Sequence, residues 1–451
     1  MSATDQTQWQ TCLDELLTKH EVAGAALGIL HRGELLAVSA GHANLSEGIE
    51  ATPDTLFQIG SITKTWTATL ILQLVDEGKL TLSDRAVDVV PDLVLPDPAV
   101  TIEQLLNHTS GLEGDHFLDT GRGDDCLQRY AASLAAVAQI HPNGATWSYC
   151  NSGFSLLGRI IEVIDGRTWD LSLRERLVEP LRMTRTVTLP EEALRFRTAT
   201  GHVRPAQDEP LQGVAVWGIT RSAGPAGLVS ASVADLLAFA RLHLDGGLGP
   251  DGTTLLSPAS AAAMVTPTVD CTERWLLGAH QGLSWFLDTW SGQPTWSHGG
   301  STLGQNAYLR LLPESELAVA LLTNGGGHAT LADELITEVL RDLAGVTPPA
   351  KPRPAPGQIA DPARFLGHYR NAGQSRRIVL NDDDQLVIEG HDHGPAAEVA
   401  SPTVTGRLHP FEDDVLLAEF EGIDLFVPIS FLTIEGQDYL HALGRISPKI
   451  D

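Results

Sequence analysis

Positive charge is what this chain has little of. Its 451 residues hold 30 Lys+Arg against 57 Asp+Glu, a formal charge of −27. Nucleic acid needs a basic face, and anionic membranes attract basic patches, so neither is expected as a partner. Lysine is scarcer still: it occurs only at 19, 64, 79, 351 and 449, and the other basic residues are arginine. Cysteine occurs four times, at 12, 126, 150 and 271, without a CxxC pair. That excludes a disulfide framework and a cysteine-based metal site, and it reads as buried free thiols. No metal and no cofactor are expected. No apolar run approaches the roughly 18 residues of a spanning helix. The first twenty residues, MSATDQTQWQTCLDELLTKH, have neither a basic start nor an apolar core, so no signal peptide is visible and a cytoplasmic location is expected. What remains is ordinary for a folded chain: 43% hydrophobic and 19% charged residues, enough for two or three domains.

Composition breaks at 347–362, TPPAKPRPAPGQIADP, where six prolines fall within sixteen residues. Such a run holds neither helix nor central strand and reads as a stiff linker. The division expected is a first region at 1–346, a linker at 347–360 and a β module at 361–451. In the module, RRIVL, QLVIEG, VLLAEF, DLFVPISFL and DYLHAL alternate with polar turns such as NDDD, EGHDHG and EGID, the pattern of a small meander or barrel. In the first region, AALGILHRGELLAVSAGHANL reads as two strands turning at Arg32-Gly33. Segments 61–78, 152–164 and 231–244 carry helical periodicity. Strands follow between 280 and 325, and a helix at 328–344 closes the region. Strands at both ends of the region predict one sheet completed by those ends, with a helical lobe, roughly 90–255, between them.

Three short elements carry chemistry. Ser61-Ile62-Thr63-Lys64 puts a hydroxyl and an ammonium one helical turn apart, near the positive end of a helix. There a desolvated lysine can serve as a base for the serine. Tyr149-Cys150-Asn151 precedes a helix. Its phenol can share a proton with a lysine, and its amide can orient a substrate amide. Trp296-Ser297-His298-Gly299-Gly300-Ser301 offers glycines that let backbone approach a ligand and a strand N–H for an oxyanion. Each is weak alone: S-x-x-K occurs by chance in about one such chain in four. His298 alone fits a satisfied polar residue at a strand end, and Asn151 alone fits a helix cap.

In this order the three elements resemble those of the serine penicillin-recognising hydrolases: class C β-lactamases, D-alanyl peptidases, D-aminopeptidases and related esterases. The flanks FQIGSITKTW, TIEQLLNHTSGL, YCNSGFSLLGRIIEVIDG, AGLVSASVADLLAFA and SHGGSTLGQNAYL share the likeness, which covers roughly 10–345. The resemblance implies an α/β fold, an antiparallel sheet flanked by helices with a helical lobe. An all-β, lipocalin-like antiparallel barrel would follow it. It implies Ser61 as the nucleophile of an acyl-enzyme, with Lys64 and Tyr149 moving its proton. Asn151 would stand on the substrate side, and the backbone N–H groups of Ser61 and Ser301, beside Gly299 and Gly300, would form the oxyanion hole.

One departure bears on substrate. β-Lactamases and penicillin-binding proteins open the third element with lysine, whose charge favours a substrate carboxylate. His298 is mostly neutral at pH 7, which weakens the case for β-lactams and allows the imidazole to assist proton transfer through Tyr149. The function expected is cleavage of amide bonds in small peptides or amino-acid amides, D-residues included. A carboxylesterase, an acyltransferase and a β-lactamase follow as alternatives. Partners expected are a small-molecule or short-peptide substrate, with homo-oligomers allowed. The β module is expected to cap the cleft. Trp66, Trp285 and Trp296 lie near the motifs and are candidates for an acyl pocket; His108 is expected to hold a loop.

Overall fold

The structure is a computed structural model and describes residues 3–206, 209–393, 403–421 and 425–451. Strand Gly24–His31 is apolar and buried up to its last residue, the pattern of a strand covered on both faces. Alternation separates those faces. Ala25, Leu27 and Ile29 join a core with Trp9 and Leu13 of helix Ala3–Lys19 and Leu335 and Val339 of helix His328–Ala344. Ala26 and Leu30 face the opposite way, into a core with Val233, Leu236 and Leu237 of helix Val233–Leu244.

This strand sits inside a nine-stranded sheet. Across it run Ile49–Glu50, Glu34–Asn44, Gly24–His31, Leu317–Thr323, Gln305–Leu312, Gln293–Thr302, Phe286–Trp290, His280–Gln281 and Val269–Asp270. All neighbours are antiparallel. The two ends of the first region meet at its centre, Ala25 opposite Thr323 and His31 opposite Leu317. The helical lobe, built around Asn151–Asp165, packs on helix Thr63–Asp76. That helix begins two residues later than its periodicity predicts, because Gly60–Ile62 form a separate 3₁₀ turn carrying Ser61.

Residues 345–361 carry no helix or strand. Beyond them eight strands pair in chain order, each antiparallel to the next. The first and last, Gly367–Arg370 and Arg445–Pro448, meet through a bridge from Tyr369 to Lys449 and through Ile450 N–H donating to His368 O at 2.8 Å, closing an antiparallel barrel. Phe365, Ile378, Ile388, Leu408, Ile429 and Leu440 fill it. Sequence periodicity does not reveal the strands Gly367–Arg370, Thr403–Glu412 and Arg445–Pro448, which are short or rich in polar residues. Nor is EGHDHG a turn throughout: Leu386–Asp392 continues as strand through its first four residues. Among the described residues no helix is long and apolar enough to cross a membrane.

One core residue predicts acid sensitivity. His243 is buried between Phe239 and Trp285, and burial alone pushes its pKa down to about 3. The unfolded chain takes up this proton near pH 6.5 and the folded chain does not. His243 therefore contributes stability fully above pH 6.5, and that contribution is lost as pH falls from 6.5 towards 3. Between pH 7 and pH 5, urea unfolding is expected to show the wild-type protein losing about 2 kcal/mol more stability than His243→Leu, a steeper pH slope in the wild type. Equal slopes in the two proteins would contradict this.

Candidate active site

Ser61 sits where the sheet lobe meets the helical lobe. Its 3₁₀ turn lies against strand Gln293–Thr302, and the approach is close enough to require glycine on both sides. A Cβ on Gly300 would stand 1.9 Å from the Ile59 carbonyl oxygen and 2.9 Å from Ser61 N. One on Gly60, whose φ is +51°, would stand 2.6 Å from Ser301 N. The backbone nitrogens of Ser61 and Ser301 are thereby brought to the same end of the cleft. Ser61 N–H belongs to a first helical turn, where no intrahelical acceptor exists.

Lys64 is wholly buried, one turn on from Ser61. Its Nζ donates to Ser61 Oγ at 3.0 Å and to the Ala226 carbonyl at 2.7 Å. Neither partner is a carboxylate. Burial, followed by the charge of Arg445, holds the ammonium well below its usual range. Tyr149 lies beside it, with Nζ 4.8 Å from the ring centroid. Burial pushes the phenol up, while a hydrogen bond with Ser61 and the charge of Arg445 pull it back. His108, left-handed at φ +62°, stacks on the Tyr149 ring at 4.3 Å, and its Nδ1 accepts from Cys150 N–H at 3.0 Å. It holds the Tyr149 segment, as expected of it.

Cys150, and not Asn151, caps the following helix: its Sγ accepts from Gly153 N–H at 3.3 Å. Asn151 is free of that duty and donates its Nδ2 to Asp115 Oδ1 at 2.8 Å. His298 Nδ1 donates to the Gly299 carbonyl at 2.6 Å, which leaves Nε2 as an acceptor, buried and without a partner. Burial and then the nearby Lys64 push this imidazole down to about 3, so it is neutral. Its ring lies 6.4 Å from that of Tyr149.

All eight residues singled out in the sequence meet here. Ser61, Tyr149, Asn151, His298, Gly299, Gly300 and Ser301 line one cleft of about 620 Å³, and Lys64 stands behind Ser61. The tryptophans do not take part. Trp66 and Trp285 are core, the former stacked on Phe239 at 4.6 Å, and Trp296 packs against the same core. The apolar lining comes instead from Phe117, Phe286, Tyr308 and Leu277. The far wall belongs to the barrel of the same chain: Gln374, Arg376, Asp392, His393, Leu443 and Arg445. Sequence reasoning misses Arg445 and Asp115, which carry no motif. Among the described residues no group of three or more His, Cys, Asp or Glu side chains is placed to hold a metal ion. What the arrangement offers is a serine hydroxyl beside a neutralisable amine.

The β-lactamase family model matches residues 9–343. The chain belongs to the β-lactamase family. Members of this family are serine hydrolases. Penicillin-binding protein 4 of Amycolatopsis lactamdurans is 44% identical over 381 residues, covering 82% of this chain and 98% of that protein. Among solved structures, SurE covers 99% of both chains at 27% identity and a TM-score of 0.82, so its likeness includes the barrel. A second SurE structure, with D-Leu, matches at 26% identity over the full length of both chains, TM-score 0.80. The D-amino acid amidase of Ochrobactrum anthropi SV3, complexed with L-phenylalanine amide, shares the fold over 75% of this chain and 99% of its own, at 23% identity and a TM-score of 0.64.

Proposed function

We propose that this family member is a serine amidase or peptidase acting on small peptides or amino-acid amides, D-residues included, through an acyl-enzyme on Ser61. The observation that carries the reading is the buried Lys64, hydrogen-bonded to Ser61 and lacking a carboxylate partner. In its neutral form Lys64 takes the Ser61 proton as Oγ attacks the substrate carbonyl, and the oxyanion is received by Ser61 N–H and Ser301 N–H. Tyr149, sharing the proton with Lys64, passes it to the leaving amine as the C–N bond breaks. Water then attacks the ester, giving up its proton through the same pair and releasing Ser61. Asn151, tethered through Nδ2, keeps Oδ1 for a substrate N–H.

Substrate choice follows from the third element and the roof. A neutral His298 presents an acceptor where β-lactamases present a cation, which favours an N–H or O–H group over a carboxylate. The barrel wall limits the cleft to short ligands. The D-Leu held by SurE supports D-residues as substrates. One panel tests the reading: D- and L-aminoacyl p-nitroanilides, p-nitrophenyl esters and a chromogenic cephalosporin. The highest kcat/KM among amides is expected for a D-aminoacyl anilide. A preference for the cephalosporin over every amide would overturn the assignment.

A further inference from the structure

The tip of the last barrel hairpin, Gln437–Ala442 to Arg445–Pro448, docks on the segment that carries Tyr149. Tyr149 N–H donates to the Gly444 carbonyl at 2.9 Å, and Ile446 N–H donates to Ser148 Oγ at 3.2 Å. Gly444 N–H in turn donates to the buried Glu273 at 2.6 Å. This seating brings the Arg445 guanidinium over the Tyr149 ring, 4.7 Å from its centroid. Two of its nitrogens are fixed on one carboxylate, Nε on Asp115 Oδ2 at 2.7 Å and Nη2 on Asp115 Oδ1 at 3.0 Å. That same Oδ1 accepts from Asn151. One bidentate pair between residues 330 apart in sequence thus ties the barrel to both members of the Tyr149/Asn151 element.

We propose that Arg445 is a positioning residue of the Ser61 site, so that the barrel completes the activating machinery as well as roofing it. The inference rests on Lys64 and Tyr149 being the activating pair. A fixed cation beside them favours the phenolate and disfavours the ammonium, and both effects release the proton that Ser61 must lose. The charged and titratable groups around Tyr149 are Lys64 from the helix, His108, Glu113 and Asp115 from the loop, neighbouring Cys150, His298 from the strand and Arg445 from the hairpin. Asp115 opposes Arg445. Burial works against its ionisation, but the charge and hydrogen bonds of Arg445 prevail and hold it below the usual carboxylate range. Arg445 is the cation, and removing it or its counter-charge must move the pair in opposite directions.

The test is the pH profile of kcat/KM for a D-alanyl p-nitroanilide and p-nitrophenyl acetate, using the full chain. In Arg445→Gln the acid limb is expected about one pH unit higher, with kcat/KM at pH 7 down about tenfold. Arg445→Lys, which keeps the charge, is expected to restore the limb. Asp115→Asn is expected to move it lower. Ser148→Ala loosens the docking without altering charge and is expected to leave the limb in place. An unmoved limb in Arg445→Gln, or an equal shift in Ser148→Ala, would overturn the proposal. If Arg445→Gln does not fold, the direction seen in Asp115→Asn decides. Ser61→Ala separates the two readings. Inactive Ser61→Ala with an unmoved Arg445→Gln limb removes only the role of Arg445, and active Ser61→Ala removes the mechanism beneath it.

Discussion

Alanine at position 61 is expected to lower kcat/KM by a factor on the order of 10⁵ or more and to abolish any covalent adduct detected by intact-protein mass spectrometry. The fold should not suffer, since the Ser61 hydroxyl bonds only to Lys64 and Tyr149 among the described residues, and both are held by other contacts as well. Lys64→Arg separates base from charge. Arginine stays protonated even when buried, so it retains a cation near Ser61 but cannot take the proton; a loss of about 10³- to 10⁴-fold is expected. Thermal melting shows whether the larger side chain is tolerated where Lys64 is wholly enclosed. A folded Lys64→Arg protein with wild-type turnover would remove Lys64 as the base.

The legible part of this site is the part whose chemistry is local. Ser61 and Lys64 declare themselves because a spacing of three puts them on one helical face. His298-Gly299-Gly300 does so because close backbone approach demands glycine at Gly300. Proximity in sequence misleads where direction matters. Trp66 follows Lys64 by two residues, about 200° around the helix, and so points into the core away from Ser61. Trp296 shares a sheet face with His298 but stands one side-chain step, about 7 Å, further from the cleft. Arg445 and Asp115 are invisible for a different reason. Each lies in a loop or short strand of unremarkable composition, and their pairing spans 330 residues. In the sheet the same contrast holds. The apolar run at Gly24–His31 announces a central strand, while the barrel's polar strands are fixed by the neighbours that pair with them.

The barrel sets the charge of this cleft. His298 is neutral and His108 is held neutral by burial, so the permanent cations at the cleft are arginines supplied by the barrel wall, Arg445 and Arg376. Arg376 is itself paired with Asp392, and Arg445 with Asp115. Each guanidinium is therefore already bonded to a carboxylate before a ligand arrives. A substrate carboxylate would have to compete with these acids, which agrees with the amide substrates proposed above.

The two glycines after His298 are expected to respond to alanine in different ways. At Gly300 the new Cβ would fall 1.9 Å from Ile59 O, 2.8 Å from Ile59 C and 2.9 Å from Ser61 N, all backbone atoms that cannot rotate aside. The strand must retreat from the Ser61 turn, which draws apart the proposed oxyanion donors, Ser61 N–H and Ser301 N–H. Loss of a single oxyanion donor costs about 10²- to 10³-fold, and Gly300→Ala is expected to lose at least that much in kcat, with a lower melting temperature from the displaced strand. Gly299 is different. It faces the open cleft, and the nearest atom to its Cβ is Ala307 O at 3.8 Å, an ordinary contact. Gly299→Ala should melt as the wild type does and show its cost in KM, because the space it fills is the ligand's. Wild-type kcat in Gly300→Ala would mean that the close approach of strand and turn is packing alone and that the oxyanion is held elsewhere.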